Sequence, residues 1–370
     1  MINIHEPDIK KYSMSAIKSI ESGWISNHGE YVDKSTQILK KVLNIKYCIL
    51  MSNGTCATHC LFLSIKFKYP DINKIYVPNN SYVAAYNCAL MVYDITQIEV
   101  MKMNINTWNI DINEEYILSL YKNSAVLIVH NIGNIINVQR LKKIRPDLVF
   151  IEDNCEGLFG KYNDIYSGTS NDSLCSSISF YGNKIITTGE GGAFLTNNQY
   201  IYDYIKKVYS QGMSNTRYLH DVHAYNYRMT NIQAAFLYDQ LNDIDNILKK
   251  KQYIFNNYTR LFNVLVEEKK IKLFEKEENT ENTYWIFTIR IVGNNKSIEE
   301  TCDYFKNNNI DIRPFFYPIN KHTHLSSIKN NDDTSLILNK EIIMIPSSHN
   351  ITLDEQQTVV NVVYKFVSEY

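Results

Sequence analysis

The chain has 370 residues, of which 45% are hydrophobic and 21% are charged, and its formal net charge is −1. This near-neutral balance provides no basic surface for nucleic acid, and no run of about 20 apolar residues is present to span a membrane. We therefore expect a globular cytoplasmic protein, long enough for two domains, that binds neither nucleic acid nor a membrane.

The first half of the chain alternates short apolar runs with amphipathic segments. This strand–helix alternation predicts an α/β sheet that is covered by helices on both faces. We expect the first, larger domain to extend over residues 1–245, with strands at 75–77, 98–101, 125–129, 148–151, 177–180 and 193–196.

The second half begins with a helical stretch from 231 to 261, which leads into a smaller α+β domain predicted at 246–370. Three consecutive lysines at 249–251 lie in this stretch, and we expect them on a solvated helix face. The smaller domain is predicted to contain a strand at 285–291, a helix at 297–307 and a terminal helix at 353–366.

Lys184 lies at the centre of SISFYGNKIITTGEGG (177–192), between an apolar run and a cluster of glycines. A lysine in such a setting can hold an aldehyde cofactor as a Schiff base, and glycines let the backbone approach a cofactor closely. Most lysines are surface groups, but few follow an apolar strand and precede a Thr-Thr-Gly-Glu-Gly-Gly run.

Asp153 ends the apolar run VFIED (149–153). A carboxylate there can keep the ring nitrogen of pyridoxal 5′-phosphate (PLP) protonated, and Lys184 can hold the aldehyde of the same cofactor. Taken alone, a strand-end aspartate serves equally well as a helix cap or an ion-pair partner. Glu156 follows one turn later and is expected near the phenolic oxygen of the cofactor.

The segment SNGT (52–55) follows an apolar run and opens an amphipathic helix. Backbone N–H groups at a helix N-terminus bind phosphate, and Thr55 adds a hydroxyl group. The same residues also suit a helix cap without any ligand. Ser179 is a second candidate phosphate ligand, and Tyr82 is a candidate for stacking on the cofactor ring. No metal site is predicted, because HExxH and zinc-ligand spacings do not occur.

Seven sequence blocks, in this order, resemble the DegT/StrS family of PLP-dependent nucleotide-sugar aminotransferases. They are ESGWIS (21–26), SNGT (52–55), VPNNSYVAAYN (77–87), FIEDNCEGLFG (150–160), SFYGNKIITTGEGG (179–192), AYNYRMTNIQAA (224–235) and IPSSHNITLDEQQ (345–357). The resemblance implies a fold-type-I, aspartate-aminotransferase-like α/β subunit with a large mixed sheet. It also implies an obligate homodimer with its active sites at the subunit interface.

By the same resemblance, Lys184 is the Schiff-base lysine and Asp153 is the partner of the pyridine nitrogen. The resemblance further implies that Tyr82 lies on the cofactor ring, that Glu156 lies near the phenolic oxygen, and that a phosphate cradle is formed by Gly54, Thr55, Ser179 and, from the neighbouring subunit, Asn226. One departure is Asn154–Cys155, which replaces the family's usual pair of alanines and is expected to alter the packing behind the ring.

The resemblance is strongest to enzymes that aminate C4 of a nucleotide-linked 4-keto-6-deoxyhexose with L-glutamate as the donor. Lysine at 184, rather than the histidine of the family's dehydratases, favours transamination. We expect UDP- or dTDP-4-keto-6-deoxyglucose as the substrate, which gives the viosamine nucleotide. The alternatives are a GDP-perosamine synthase, a 3-aminotransferase that acts on a 3-keto sugar nucleotide, and a PLP-binding regulator without turnover.

Overall fold

A computed structural model describes residues 1–330 and 332–369. Within this part of the chain the strands form a seven-stranded sheet, a four-stranded sheet and a small three-stranded sheet. In chain order the strands are β1 Tyr47–Met51, β2 Ile75–Pro78, β3 Ile98–Met101, β4 Ala125–Val129, β5 Val149–Asp153, β6 Lys161–Tyr162, β7 Ile165–Tyr166, β8 Ser173–Ser179, β9 Gly192–Thr196, β10 Ile271–Lys272, β11 Thr280–Glu281, β12 Thr288–Ile291, β13 Arg313–Pro314 and β14 Ile342–Met344.

The α-helices alternate with these strands in the first half of the chain and flank the second sheet in the other half. They are α1 Met14–Glu21, α2 Glu30–Leu43, α3 Gly54–Lys68, α4 Val83–Leu90, α5 Glu114–Leu118, α6 Val138–Ile144, α7 Gln199–Val208, α8 Asn231–Asn242, α9 Ile244–Leu261, α10 Asn263–Glu267, α11 Ile298–Asn307, α12 Asp333–Glu341 and α13 Leu353–Ser368. Among the described residues, no helix is both long and apolar enough to cross a membrane.

The seven-stranded sheet has the order β1-β9-β8-β5-β4-β2-β3. Its strands β3, β2, β4, β5 and β8 pair in parallel, whereas β9 is antiparallel to both β8 and β1. Strand β1 therefore has the same direction as the parallel set, and the carboxyl ends of these six strands lie at one edge. The predicted large mixed sheet is confirmed.

Both faces of this sheet are buried, as alternate residues of β4 show. Val126 and Ile128 belong to one hydrophobic cluster, and Leu127 and Val129 belong to the other. This two-sided burial explains why the strands are almost continuously apolar in sequence.

The predicted strands match the observed ones closely, with shifts at some ends. Strand β8 begins at Ser173, earlier than expected, because its first half alternates serines with Leu174 and Cys175 and so forms no continuous apolar run, although it is largely buried. The strand predicted from 285 begins only at Thr288.

The predicted helical stretch 231–261 consists of two helices separated at Asp243. The carboxylate of this residue accepts hydrogen bonds from Lys11 (2.6 Å) and the Tyr12 hydroxyl (2.8 Å), which tie the N-terminal segment to the junction. Lys249 and Lys250 are exposed as predicted. The prediction is wrong for Lys251, which is only 2% exposed because it faces the interior behind the second sheet.

The second sheet has the order β10-β12-β14-β13 and packs with α9, α11 and α13 in a third hydrophobic cluster. This cluster includes Tyr258 of α9, Phe305 of α11 and Val363 of α13. The division between residues 245 and 246 stays a prediction, since α9 begins at the boundary and contributes to this cluster.

Candidate active site

The candidate residues converge on the carboxyl edge of the large sheet. Asp153 is the last residue of β5, Ser179 is the last residue of β8, and Gly54 opens α3 three residues after β1 ends. Strands β5 and β8 are neighbours in the sheet, and the start of α3 packs against the end of β8, so these three residues lie close together although more than 120 positions separate Gly54 from Ser179.

The Asp153 carboxylate is buried among hydrogen-bond donors. Its Oδ1 accepts from the backbone N–H of Cys155 at 3.1 Å, and the hydroxyl groups of Thr58 and Ser177 each lie 3.4 Å from a carboxylate oxygen. These contacts hold the side chain in one orientation at the base of the site. A fixed buried carboxylate of this kind suits the protonated nitrogen of a pyridinium ring.

Gly54 lies so close to β8 that no larger residue fits. A Cβ atom on Gly54 would lie 2.8 Å from Cβ of Ser179 and 3.2 Å from Sγ of Cys155. The side chain of Asn53 caps the helix by accepting from the N–H of Cys56 at 2.8 Å. The glycine therefore leaves the first turn of α3 open beside the Ser179 hydroxyl, and such a cradle fits a phosphate group.

Thr55 and Ser179 differ in exposure. Thr55 is exposed at the start of α3, whereas Ser179 is buried and its hydroxyl accepts from the N–H of Tyr181 at 3.2 Å. Thr55 follows Gly54 in the sequence, and Ser179 packs against Gly54. Gly54, Thr55 and Ser179, the three cradle residues predicted within one chain, are thus adjacent.

Glu156 is buried, with 6% of its surface exposed, and its Oε2 accepts a hydrogen bond from the backbone N–H of Ile132 at 2.8 Å. Burial raises the pKa of this carboxyl to about 7, and the positive charge of Lys184 and the Ile132 hydrogen bond oppose that rise. Glu156 therefore exchanges its proton near neutral pH and lies within electrostatic range of both Lys184 and Asp153.

Lys184 lies in the loop between β8 and β9 and is half-buried. Its Nζ is 3.8 Å from the ring centroid of Trp285, and the indole N–H of that tryptophan donates to the carbonyl of Asn183 at 2.9 Å. Sequence reasoning missed Trp285, because in the segment YWIF (284–287) it is read simply as part of an apolar strand.

Tyr82 and Asn226 lie further out than the other candidates. Tyr82 precedes α4 with 60% of its surface exposed, and its ring centroid is 6.3 Å from that of Phe316. Asn226 is exposed, and its Oδ1 accepts from Nε of Arg228 at 2.9 Å. Their predicted roles toward the ring and the partner subunit stay predictions.

The segment that carries Asn226 is attached to the α3 end of the site. The backbone N–H of Ser52 donates to the carbonyl of Tyr227 at 2.8 Å, and the Tyr227 hydroxyl lies 3.0 Å from Nδ1 of His59. The rings of Tyr225 and Tyr227 stack at 4.9 Å. Asn226 therefore lies between two tyrosines that are fixed by contacts, beside the residues that precede the candidate phosphate cradle.

His130 and Glu152 form a buried pair next to Asp153, at the carboxyl ends of β4 and β5. Nε2 of His130 lies 3.0 Å from Oε2 of Glu152, and Nδ1 of His130 accepts from the N–H of Ile136 at 3.1 Å. Since Nδ1 accepts, the ring proton is on Nε2 and is donated to Glu152. The N–H of Gly168 donates to the same carboxylate at 2.9 Å. Sequence analysis did not single out this pair.

The DegT/DnrJ/EryC1/StrS aminotransferase family model matches residues 7–364, nearly the whole chain. The chain belongs to this family. A GDP-perosamine synthase from Escherichia coli O157:H7 is 31% identical over 322 residues, which are 86% of this chain and 85% of the relative. A GDP-perosamine synthase from Vibrio cholerae is 32% identical over 331 residues, with the same two coverages.

Among solved structures, an E. coli GDP-4-keto-6-deoxy-D-mannose-3-dehydratase with bound hydrated PLP has a TM-score of 0.85 at 20% identity, covering 98% of this chain and 99% of that one. This similarity confirms the predicted fold type of the family. The prediction of a PLP-dependent nucleotide-sugar aminotransferase is confirmed as well by the family match and the relatives.

Proposed function

We propose that this family member transfers the amino group of L-glutamate to C4 of GDP-4-keto-6-deoxymannose, a perosamine-forming reaction. The similarity to two GDP-perosamine synthases over 86% of the chain supports this substrate most directly. This similarity favours GDP as the nucleotide of the substrate, over the UDP or dTDP that the sequence blocks alone suggested. The lysine at position 184 supports transamination. A cytoplasmic homodimer remains part of the proposal.

PLP, when bound, withdraws electrons from the α-carbon of the amino donor and carries the amino group between the two substrates. We assign the ring nitrogen to Asp153, whose carboxylate is buried and oriented by Thr58, Ser177 and the N–H of Cys155. Asp153 keeps the proton on that nitrogen, because a negative charge at hydrogen-bond distance favours the protonated form.

Lys184 moves the protons. Its Nζ takes the proton from the α-carbon of glutamate as a general base and later returns a proton to C4 of the sugar as a general acid. The half-buried position of the side chain limits the access of water to this transfer. The positive charge of Lys184 lowers the pKa of Glu156, which supports placing the two groups in the same site.

The phosphate is assigned to the first turn of α3 and the Ser179 hydroxyl. The absence of space for a Cβ at Gly54 supports this assignment, because a close approach of the two segments is what a small cradle requires. Thr55 adds its hydroxyl group. By the family resemblance, Tyr82 would stack on the ring, and Asn226 would bind the phosphate in the partner subunit's site.

Glu156 is assigned to the phenolic oxygen of the cofactor. With a pKa raised to about 7 by burial, this carboxyl carries a proton that it can donate to the oxygen at neutral pH. At higher pH it becomes a carboxylate that can accept only, and we expect activity to fall as that proton is lost.

Mass spectrometry of the product tests the substrate. The enzyme is incubated with PLP, glutamate and, separately, GDP-4-keto-6-deoxymannose, dTDP-4-keto-6-deoxyglucose and UDP-4-keto-6-deoxyglucose. We expect the GDP sugar to be aminated at least tenfold faster than the others. Preferred amination of a UDP or dTDP sugar would instead support the viosamine-forming reaction. If the enzyme binds PLP and aminates none of the three, C4 amination is wrong.

A further inference from the structure

The buried Lys251 binds two carbonyl groups at the margins of the second sheet. Its Nζ donates to the carbonyl of Trp285, which precedes β12, at 2.8 Å and to the carbonyl of Ser347, which follows β14, at 2.5 Å. One side chain of α9 therefore holds two chain segments that are 62 residues apart (347 − 285) in a fixed relative position.

Trp285 continues this connection to the large sheet. Its indole is 6% exposed, its N–H donates to the carbonyl of Asn183, and its ring faces Nζ of Lys184. The chain of contacts thus runs from Lys251 through the Trp285 backbone and indole to Lys184. Each of the three connections is a direct contact.

Among the described residues, Lys251 has two carbonyl acceptors but no carboxylate partner to offset the burial of its amine. Burial lowers the pKa of Lys251 to about 7. The histidines that face it, His5 and His349, are mainly neutral because burial lowers their pKa values to about 4 and about 3. A buried amine is costly, and an apolar residue of the same length would avoid that cost. An apolar residue could not, however, donate the two hydrogen bonds to the carbonyl groups of Trp285 and Ser347.

We propose that Lys251 is a positioning residue, which holds Trp285 so that its indole face receives the ammonium group of Lys184 when that lysine is free of the cofactor. This inference rests on the proposed role of Lys184. An indole face attracts an ammonium group but not a neutral amine, so it would stabilise Lys184 in the interval after Nζ has accepted a proton and before it delivers that proton to the substrate.

The test measures how fast the amine of Lys184 reacts with an acylating reagent. The full chain is loaded with pyridoxamine 5′-phosphate, which leaves the lysine free, and is treated with acetic anhydride near pH 8. Mass spectrometry then quantifies acetylation of the peptide that contains Lys184. Removing the indole in Trp285→Leu is expected to raise this rate about twofold to fivefold, because the ammonium form of the lysine then loses its contact with the indole face.

Lys251→Met is expected to raise the Lys184 rate in the same direction. The double variant Lys251→Met/Trp285→Leu should react no faster than Trp285→Leu alone, because Lys251 acts through the tryptophan. Lys249→Met, at an exposed position of the same helix, is the matched control and should leave the rate unchanged. Lys251→Gln, which keeps a donor, should restore part of the wild-type protection.

Three results would overturn the inference. They are an unchanged Lys184 rate in Lys251→Met, additive effects of the two substitutions, and an effect of Lys249→Met as large as that of Lys251→Met. If Lys251→Met does not fold, Lys251→Gln and Trp285→Leu decide the question. The acetylation rate requires no sugar substrate, so its outcome is separate from that of the product assay for the proposed function.

Discussion

The two lysines at the centre of this enzyme belong to regions that are built in different ways. Lys184 lies at the carboxyl edge of the large sheet, where strand ends place Asp153 and Ser179 beside the start of α3. Lys251 lies behind the second sheet, where contacts between distant segments hold Trp285. Regular strand order creates the first region, and individual side-chain contacts create the second.

Because the two regions are built differently, a substitution should affect activity in a different way in each. At the sheet edge, removing a functional group should remove chemistry while the strands keep the remaining groups in place. Behind the second sheet, removing a group should shift a neighbour and change the chemistry only indirectly. The following predictions test this contrast, from the largest effect to the smallest.

Lys184→Ala should reduce kcat by about 10³-fold or more, because both proton transfers lose their general base and acid. Steady-state kinetics with glutamate and the GDP sugar measure the loss. Lys206→Ala, on the exposed face of α7, is the control and should retain activity. Substantial turnover by Lys184→Ala would contradict the assignment of the proton transfers to this lysine.

Asp153→Asn should lower kcat by about 10-fold to 150-fold, equal to the loss of one hydrogen bond to a charged group. The melting temperature should change little, because the amide keeps the size of the carboxylate. Asp164→Asn is a suitable control, since Asp164 is exposed and has a φ of 62°, which asparagine tolerates. Equal losses of activity in the two variants would contradict the special role of the Asp153 carboxylate at the sheet edge.

Gly54→Ala should weaken cofactor binding by about tenfold, because the added Cβ would lie 2.8 Å from Ser179 and close the cradle. Fluorescence titration of the enzyme with PLP measures the affinity. Gly182→Ala is the control, since the nearest atom to its Cβ is 4.0 Å away. If PLP binds Gly54→Ala with wild-type affinity, the phosphate lies elsewhere.

Glu156→Gln should alter how stability depends on pH. The folded protein holds the Glu156 proton up to about pH 7, whereas the unfolded chain releases it near 4.5, so this group destabilises the fold as the pH rises between those values. The penalty reaches about 3 kcal/mol at most above pH 7.

Thermal unfolding at pH 5 and pH 8 checks this prediction in the cofactor-free enzyme. The wild type should lose more stability than Glu156→Gln between the two values, and Glu278→Gln, at an exposed position, should behave like the wild type. The same pH dependence in wild type and Glu156→Gln would show that Glu156 does not titrate in this range.

The sequence predicted the sheet edge well because its features are local. An apolar run followed by an acid marks a strand end at Asp153, and the alternation of strands and helices places such ends at one edge. The candidates Gly54, Asp153, Glu156 and Ser179 all lie there. Of these, Glu156 acquires its raised pKa only from three-dimensional burial, which the sequence does not reveal.

Trp285 and Lys251 could not be predicted in the same way. The partner of the Trp285 indole is Asn183, which is 102 residues away, and the partners of Lys251 are backbone carbonyls, which have no sequence signature. Lys251 also follows two exposed lysines, so its charge pattern indicates a solvated face. Its burial follows from the packing of α9 against the second sheet.

Borohydride reduction of the PLP-loaded enzyme, followed by peptide mapping, tests most directly which lysine holds the cofactor. Reduction fixes PLP to the lysine with which it forms a Schiff base, and mass spectrometry locates the modified residue. We predict one modified peptide, with the label on Lys184. A label on Lys251, the buried lysine with its pKa lowered to about 7, or on another lysine would contradict this account of the active site.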